Sequence, residues 1–177
     1  MTPFTFDANS IAMFQSERTR SIVGDAHQAI AAIQSIGCIA LDIEGLCFQE
    51  WLACAGGKHP IALEDWVTAS LNDGYIRMYK LADTKCRKHL LSLGLPSDDH
   101  KWVRLAIGCG GNRIVSEDVD FFDPSKKRAP AAIKEKLKAN RTGACAKALR
   151  KAYNVSVMCI RHVSDEVTDL SKTGGHV

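Results

Sequence analysis

The chain has 177 residues, of which 46% are hydrophobic and 24% charged, with a formal net charge of +3. That is ordinary globular usage: it suits one domain with a full core and excludes a disordered or fibrous chain. No apolar run approaches the ~18–20 residues of a membrane span, and the start, MTPFTFDANS, lacks a basic region followed by an apolar one, so a cytoplasmic location without a membrane partner is expected.

Pro3-Phe4-Thr5-Phe6 is apolar and β-prone and stops at Asp7-Ala8-Asn9-Ser10, which suits a turn and a helix start. An aspartate therefore ends the first strand. Residues 11–20 read as a connection, and residues 25–36 as a helix with Ala26, Ala29, Ile30 and Ile33 on one face and Gly37 as its stop. Cys38-Ile39-Ala40-Leu41 is a continuous apolar run suited to a buried parallel strand. Residues 42–55 then read as a helix with Leu46, Cys47, Glu50, Trp51 and Cys54 in register. Residues 56–60 are a break, 63–71 a helix, 76–81 a short strand and 84–93 another helix closed by Gly94.

Residues 97–122, SDDHKWVRLAIGCGGNRIVSEDVDFF, are the centre of the pattern. Ser97 suits an N-cap, Asp99 falls in the first turn, and Trp102, Val103 and Ala106 form a helical stripe that Gly108, Gly110 and Gly111 end. Residues 113–116 form a strand that delivers Glu117, Asp118 and Asp120 to its carboxyl end, where open α/β sheets build their sites. A basic helical region and a last buried strand within 154–162 follow, and residues 164–177 read as a polar tail. Strands alternating with helices imply an α/β fold with parallel pairing.

Seven cysteines, an odd number without a C-x-x-C pair, read as reduced core residues, and the spacing of a zinc site is missing. Residues 126–151 hold ten Lys or Arg against one acid, which leaves the rest of the chain net acidic. An acidic centre beside a basic flank suits a polyanion gripped by one part and attacked at another, with Lys126, Lys127, Arg128 and Arg141 as the grip. The ordinary alternative is a solvated helical face.

Asp7, Glu50, Asp99, Asp118 and Asp120 are the catalytic candidates. If the first strand and the 113–116 strand are neighbours, Asp7 and Asp118 meet at one sheet edge and the intervening helix brings Asp99. Gathered carboxylates repel unless a cation lies between them, and oxygen-only ligands suit Mg²⁺ or Mn²⁺. Such a site hydrolyses phosphodiesters, with one ion or with a second about 4 Å away. Each acid also has a plainer role open to it: helix capping for Asp7, a helix dipole for Asp99, a turn for Asp118. Glu50 is harder to explain so, and Asp42 and Glu44 are accounted for by capping. The glycine loop at 108–111 lies before a strand, the wrong place for a phosphate cradle.

These residues resemble the PIN-domain family of metal-dependent ribonucleases. The DANS motif is similar to that family's strand-Asp-x-Asn opening, with Asp7 and Asn9; IGCIALDIEGLCFQEW is similar to the region supplying its glutamate, Glu50; Asp99 has the spacing of its third acid; and IVSEDVDFF resembles its closing signature, with Ser116, Asp118 and Asp120. The resemblance spans residues 2–163. It implies a three-layer α/β/α sandwich with a mainly parallel sheet of about five strands, and a Mg²⁺- or Mn²⁺-dependent endoribonuclease. Asp7, Glu50, Asp99 and Asp118 would hold the metal, Asp120 would assist, and Asn9 and Ser116 would orient them. RNA is the expected substrate ahead of single-stranded DNA. Relatives include toxins held by an antitoxin, defence effectors and homodimers, and also non-catalytic members that bind nucleic acid or proteins, which remains the alternative reading.

Overall fold

The computed structural model describes residues 1–55 and 60–173. Its frame is a five-stranded, all-parallel sheet of β1 (Thr2–Phe6), β2 (Gly37–Asp42), β3 (Ile76–Tyr79), β4 (Arg113–Val115) and β5 (Ser156–Met158). The order is β3-β2-β1-β4-β5. Helices cover both faces, so the three-layer α/β/α sandwich expected from the resemblance is the observed architecture.

Nine α-helices are found among the described residues: α1 (Ala8–Thr19), α2 (Asp25–Ile36), α3 (Leu46–Ala55), α4 (Pro60–Asn72), α5 (Arg87–Ser92), α6 (His100–Gly108), α7 (Ala131–Ala139), α8 (Ala144–Tyr153) and α9 (Val163–Thr173). α1 packs on α2 and α3, and α9 packs on α2, while α6 lies against β1, β2 and β4, and α8 against β5. Phe4, Phe6, Ile39, Ala40, Ile114 and Val115 are fully buried between the layers. Every residue of β2 is buried, the signature of a central parallel strand that its unbroken apolar run announces.

The structure corrects the sequence reading in five places. Residues 11–20 are not a loose connection: all but the last belong to α1, whose buried Ile11 and Phe14 are interleaved with buried polar Ser10 and Gln15, so the helix has no clean apolar stripe. The 42–55 helix begins at Leu46, because Asp42 ends β2 and its carboxylate accepts from the Leu46 and Cys47 N–H groups as a cap. Residues 84–93 divide into a 3-10 turn and α5. Ser97 opens a 3-10 turn ahead of α6 instead of capping it. The 164–177 tail is helical as far as Thr173, anchored in the core by Val163 and Val167. Of the 56–60 break, Gly56-Gly57-Lys58-His59 lie outside the described residues.

The glycine loop has a packing explanation. A Cβ on Gly111 would lie 1.9 Å from the Pro3 carbonyl oxygen, and one on Gly108 would lie 2.1 Å from that of Lys80. The backbone can enter β4 alongside β1 only without a side chain there. Gly111→Ala is expected to destabilise the protein by on the order of 3 kcal/mol, since backbone must move. A denaturation midpoint equal to that of the parent would contradict this packing.

From β1 the chain runs outward through β2 to β3, then returns past β1 to β4 and β5. The β1–β4 boundary is therefore the topological switch point, and the crevice at the carboxyl ends of these two strands is the expected place for a site.

Candidate metal centre

Asp7 is the first residue beyond β1, and Ser116 and Asp118 follow β4, so all three stand in the switch-point crevice. The Asp7 N–H donates to the Val115 carbonyl at 3.0 Å, extending the ladder by one step. The Asp7 carboxylate is buried; Oδ1 accepts from the Ser10 N–H at 2.8 Å, capping α1, and Oδ2 accepts from the Ser116 hydroxyl. Capping and the site thus use opposite oxygens of one residue. Ser116 Oγ also accepts from the Asp118 N–H at 3.0 Å, so one buried hydroxyl sets both aspartates. Asn9 is exposed on the first turn of α1, beside Asp118 in a groove.

Glu50 and Asp99 arrive on helices held by buried hydrogen bonds. Trp51 is fully buried in α3, and its indole N–H donates to the Phe6 carbonyl at 3.1 Å, pinning the helix at the end of β1 with Glu50 beside it. His100 is buried at the start of α6, with Nε2 3.0 Å from the Leu95 carbonyl oxygen, which fixes the turn carrying Asp99. Asp99 sits at the N-cap position but makes no side-chain cap hydrogen bond, so capping does not explain it.

The electrostatics bind these acids into one cluster. Burial first, and then the negative charges of Asp118, Glu50 and Asp7, together push Asp99 up to about 7 against the opposing charge of Lys101. Burial likewise lifts Asp7 to about 6, opposed by the hydrogen bonds from Ser116 and Ser10 and assisted by the charge of Asp118. Near neutrality the cluster is short of positive charge.

Asp120 belongs to the same edge. Its N–H donates to Asp118 Oδ1 at 2.9 Å, and its Oδ2 lies 2.6 Å from Lys127 Nζ. Asp120 Oδ1 is buried with no hydrogen-bond partner, an expense that a cation or water would relieve. Glu117, by contrast, turns away: its oxygens accept from the Ile160 N–H and from Lys138 Nζ, each at 2.9 Å, and tie β4 to α7 and the region after β5.

Among the described residues no three His, Cys, Asp or Glu groups close round one point at ligand distances. Two lysines account for part of the spread. Lys101 forms a salt bridge with Glu50, and Lys127 with Asp120. The donor set still fits a hard divalent cation in kind, being all oxygen and mutually repelling.

Of the basic residues expected to grip a polyanion, Lys126, Lys127 and Arg128 are exposed on the segment preceding α7. Arg141 is a correction: its guanidinium is engaged by Glu166 Oε2 at 3.0 Å and the His162 carbonyl at 3.2 Å, so it ties α9 to the chain after α7. Sequence reasoning missed Lys134, which lines a groove of about 430 Å³ with Asn9, Asp118, Lys127 and Lys138. It also missed Lys101, two residues after Asp99, for which no periodicity gives a signal. All seven cysteines are free, six of them buried or half-buried as expected, with Cys54 exposed. None of the helices among the described residues is long and apolar enough to cross a membrane.

Comparison with protein-family models, with curated proteins and with solved structures finds no match.

Proposed function

We propose that the chain is a Mg²⁺- or Mn²⁺-dependent endonuclease of the PIN-domain kind, acting on RNA in preference to single-stranded DNA. One observation carries this reading: β1 and β4 bring Asp7 and Asp118 to one buried serine at the switch point, and α3 and α6 add Glu50 and Asp99 close enough that the other acids add to the burial that raises Asp99 to about 7. Evolving such repulsion costs stability, and its use is to receive a cation. Asp7, Asp99 and Asp118 would hold the ion, with Asp120 Oδ1 as a further oxygen at its edge. The bound ion would polarise the phosphodiester and lower the pKa of a water. Ser116 keeps Asp7 and Asp118 in register while this happens. The groove at Asp118 is lined by Asn9, Lys127, Lys134 and Lys138 together with Glu117 and Glu135, and with Lys138 paired to both glutamates its Lys127 and Lys134 would meet the phosphates of a strand entering the site.

Incubating end-labelled structured RNA with the purified protein in Mn²⁺, Mg²⁺ or EDTA tests the reading. Cleavage is expected with either metal and none in EDTA. Binding to the same RNA is expected to weaken by on the order of tenfold or more between ~50 and ~200 mM salt, because several lysines displace counterions. A flat salt response would remove the proposed grip.

A second reading is favoured by the Lys101–Glu50 and Lys127–Asp120 pairs, which neutralise part of the cluster without a metal. In that case the chain is a nucleic-acid-binding module of the same fold. It would bind RNA equally well in EDTA and cleave it under no metal.

A further inference from the structure

Lys101 is set at the first turn of α6, beside Asp99, with a side chain only 14% exposed. Its ammonium forms the salt bridge with Glu50 Oε2 and donates to the Asp98 carbonyl, and it stands 5.4 Å from the centre of the Trp102 ring. Three different groups therefore fix the position of this charge. An exposed lysine on a flexible stem has no such definition.

Resting on the metal-site reading above, we infer that Lys101 is the second cation of the carboxylate site, so that the site loads a single divalent ion. Carboxylate oxygens shared with an ammonium are poor ligands for a metal, and Glu50 is the acid so occupied. The acids left to surround an ion are Asp7, Asp99 and Asp118, with the unpartnered, buried Oδ1 of Asp120 as a separate sign of a missing positive group. A second ion next to Glu50 would have to displace Lys101 and stand against its charge.

Lys101 also lines a recess of about 230 Å³ with Arg87, Arg104 and Asp98. Of the three N–H donors of the ammonium, Glu50 and the Asp98 carbonyl take two. Beside Glu50 the ammonium would supply fixed positive charge to the substrate, the electrostatic part of what a second ion supplies in two-metal sites.

The test is calorimetric titration of Mn²⁺ into the parent protein, Lys101→Met, Lys101→Gln and the double variant Lys101→Met/Glu50→Gln, with circular dichroism to confirm folding. One ion is expected for the parent, two for Lys101→Met and Lys101→Gln, and one again for the double variant, because the new site needs Glu50. Cleavage by Lys101→Met is expected to fall about 100-fold at low Mn²⁺ and to recover at least in part at high Mn²⁺, when the second ion enters. Two ions in the parent would overturn the inference while leaving the metal site intact. One ion in Lys101→Met and Lys101→Gln alike would also overturn it. No binding to the parent at all would remove the metal reading itself, and the inference with it.

Discussion

Asp118→Asn is expected to fold as the parent does, to bind RNA at least as tightly in EDTA, and to lose metal-dependent cleavage by at least about 100-fold, the upper end of what even an outer-sphere partner of a metal is worth. The amide oxygen can still accept from the Asp120 N–H, now met at 2.9 Å, so the 3-10 turn after β4 keeps its cap. What disappears is a negative charge at the centre of the cluster, one that acts on both Asp7 and Asp99. Removing it leaves the ion with a neutral, weaker ligand and relieves repulsion toward the RNA backbone. The readout is the single-turnover rate on end-labelled RNA at saturating Mn²⁺, with a gel-shift titration in EDTA beside it. Cleavage at the parental rate would show that Asp118 is a turn residue and nothing more.

Asp99→Asn is expected to make the metal-free protein more stable near neutral pH and to make the Mn²⁺-loaded protein less stable relative to the parent. Asp99 and Asp7 have folded-state pKa values of about 7 and about 6, above the unfolded aspartate value of about 3.9. The unfolded chain therefore releases these protons first, and stability falls as pH rises from about 4 through about 7, then levels off. Buried Asp7 alone accounts for about 3 kcal/mol of that loss at most. Asp99 is only half-buried, and after solvent screening its removal should return about 1–2 kcal/mol near pH 7.5, or a rise in Tm of about 2–6 °C. Below about pH 4.5 the variant and the parent should melt together. Saturating Mn²⁺ should reverse the order at neutral pH, since the parent gains more from binding. Melting curves at two pH values with and without Mn²⁺ check all of this; an Asn variant less stable at every pH would mean that Asp99 is a structural residue.

Much of this site was legible because its acids fall at strand ends. The PFTF run ends at Asp7 and the 113–116 strand is followed within two residues by Asp118, and the parallel pairing of β1 with β4 brings both to one crevice, as their positions suggested. Helix α2 and strand β2 were equally plain, because a single apolar face and a continuous apolar run have clear periods. α1 was hidden for the opposite reason: Ser10 and Gln15 are buried through specific contacts, Ser10 by donating to the Val115 carbonyl at 3.1 Å, and no hydropathy pattern records that.

The cations were harder to read than the acids. Arg141 belongs to the same basic run as Lys127, yet one ends in the Glu166 tie and the other on Asp120. Charge density along the chain cannot separate them, because the partner of each is supplied by a distant element. Lys101 illustrates this most sharply, since its proposed role depends on Glu50, which α3 brings to it from a distant part of the chain. The α9 helix was missed on composition: its polar residues dominate the segment, while Val163 and Val167 are buried in the core and Leu170 packs against it.

The most direct measurement is anomalous scattering at the manganese edge from crystals of the protein grown with Mn²⁺ near pH 7.5. A single strong peak coordinated by Asp7, Asp99 and Asp118, beside a retained Lys101–Glu50 pair, is the predicted result. A map with no peak among these carboxylates at saturating Mn²⁺, or with manganese bound only elsewhere on the surface, would contradict the account.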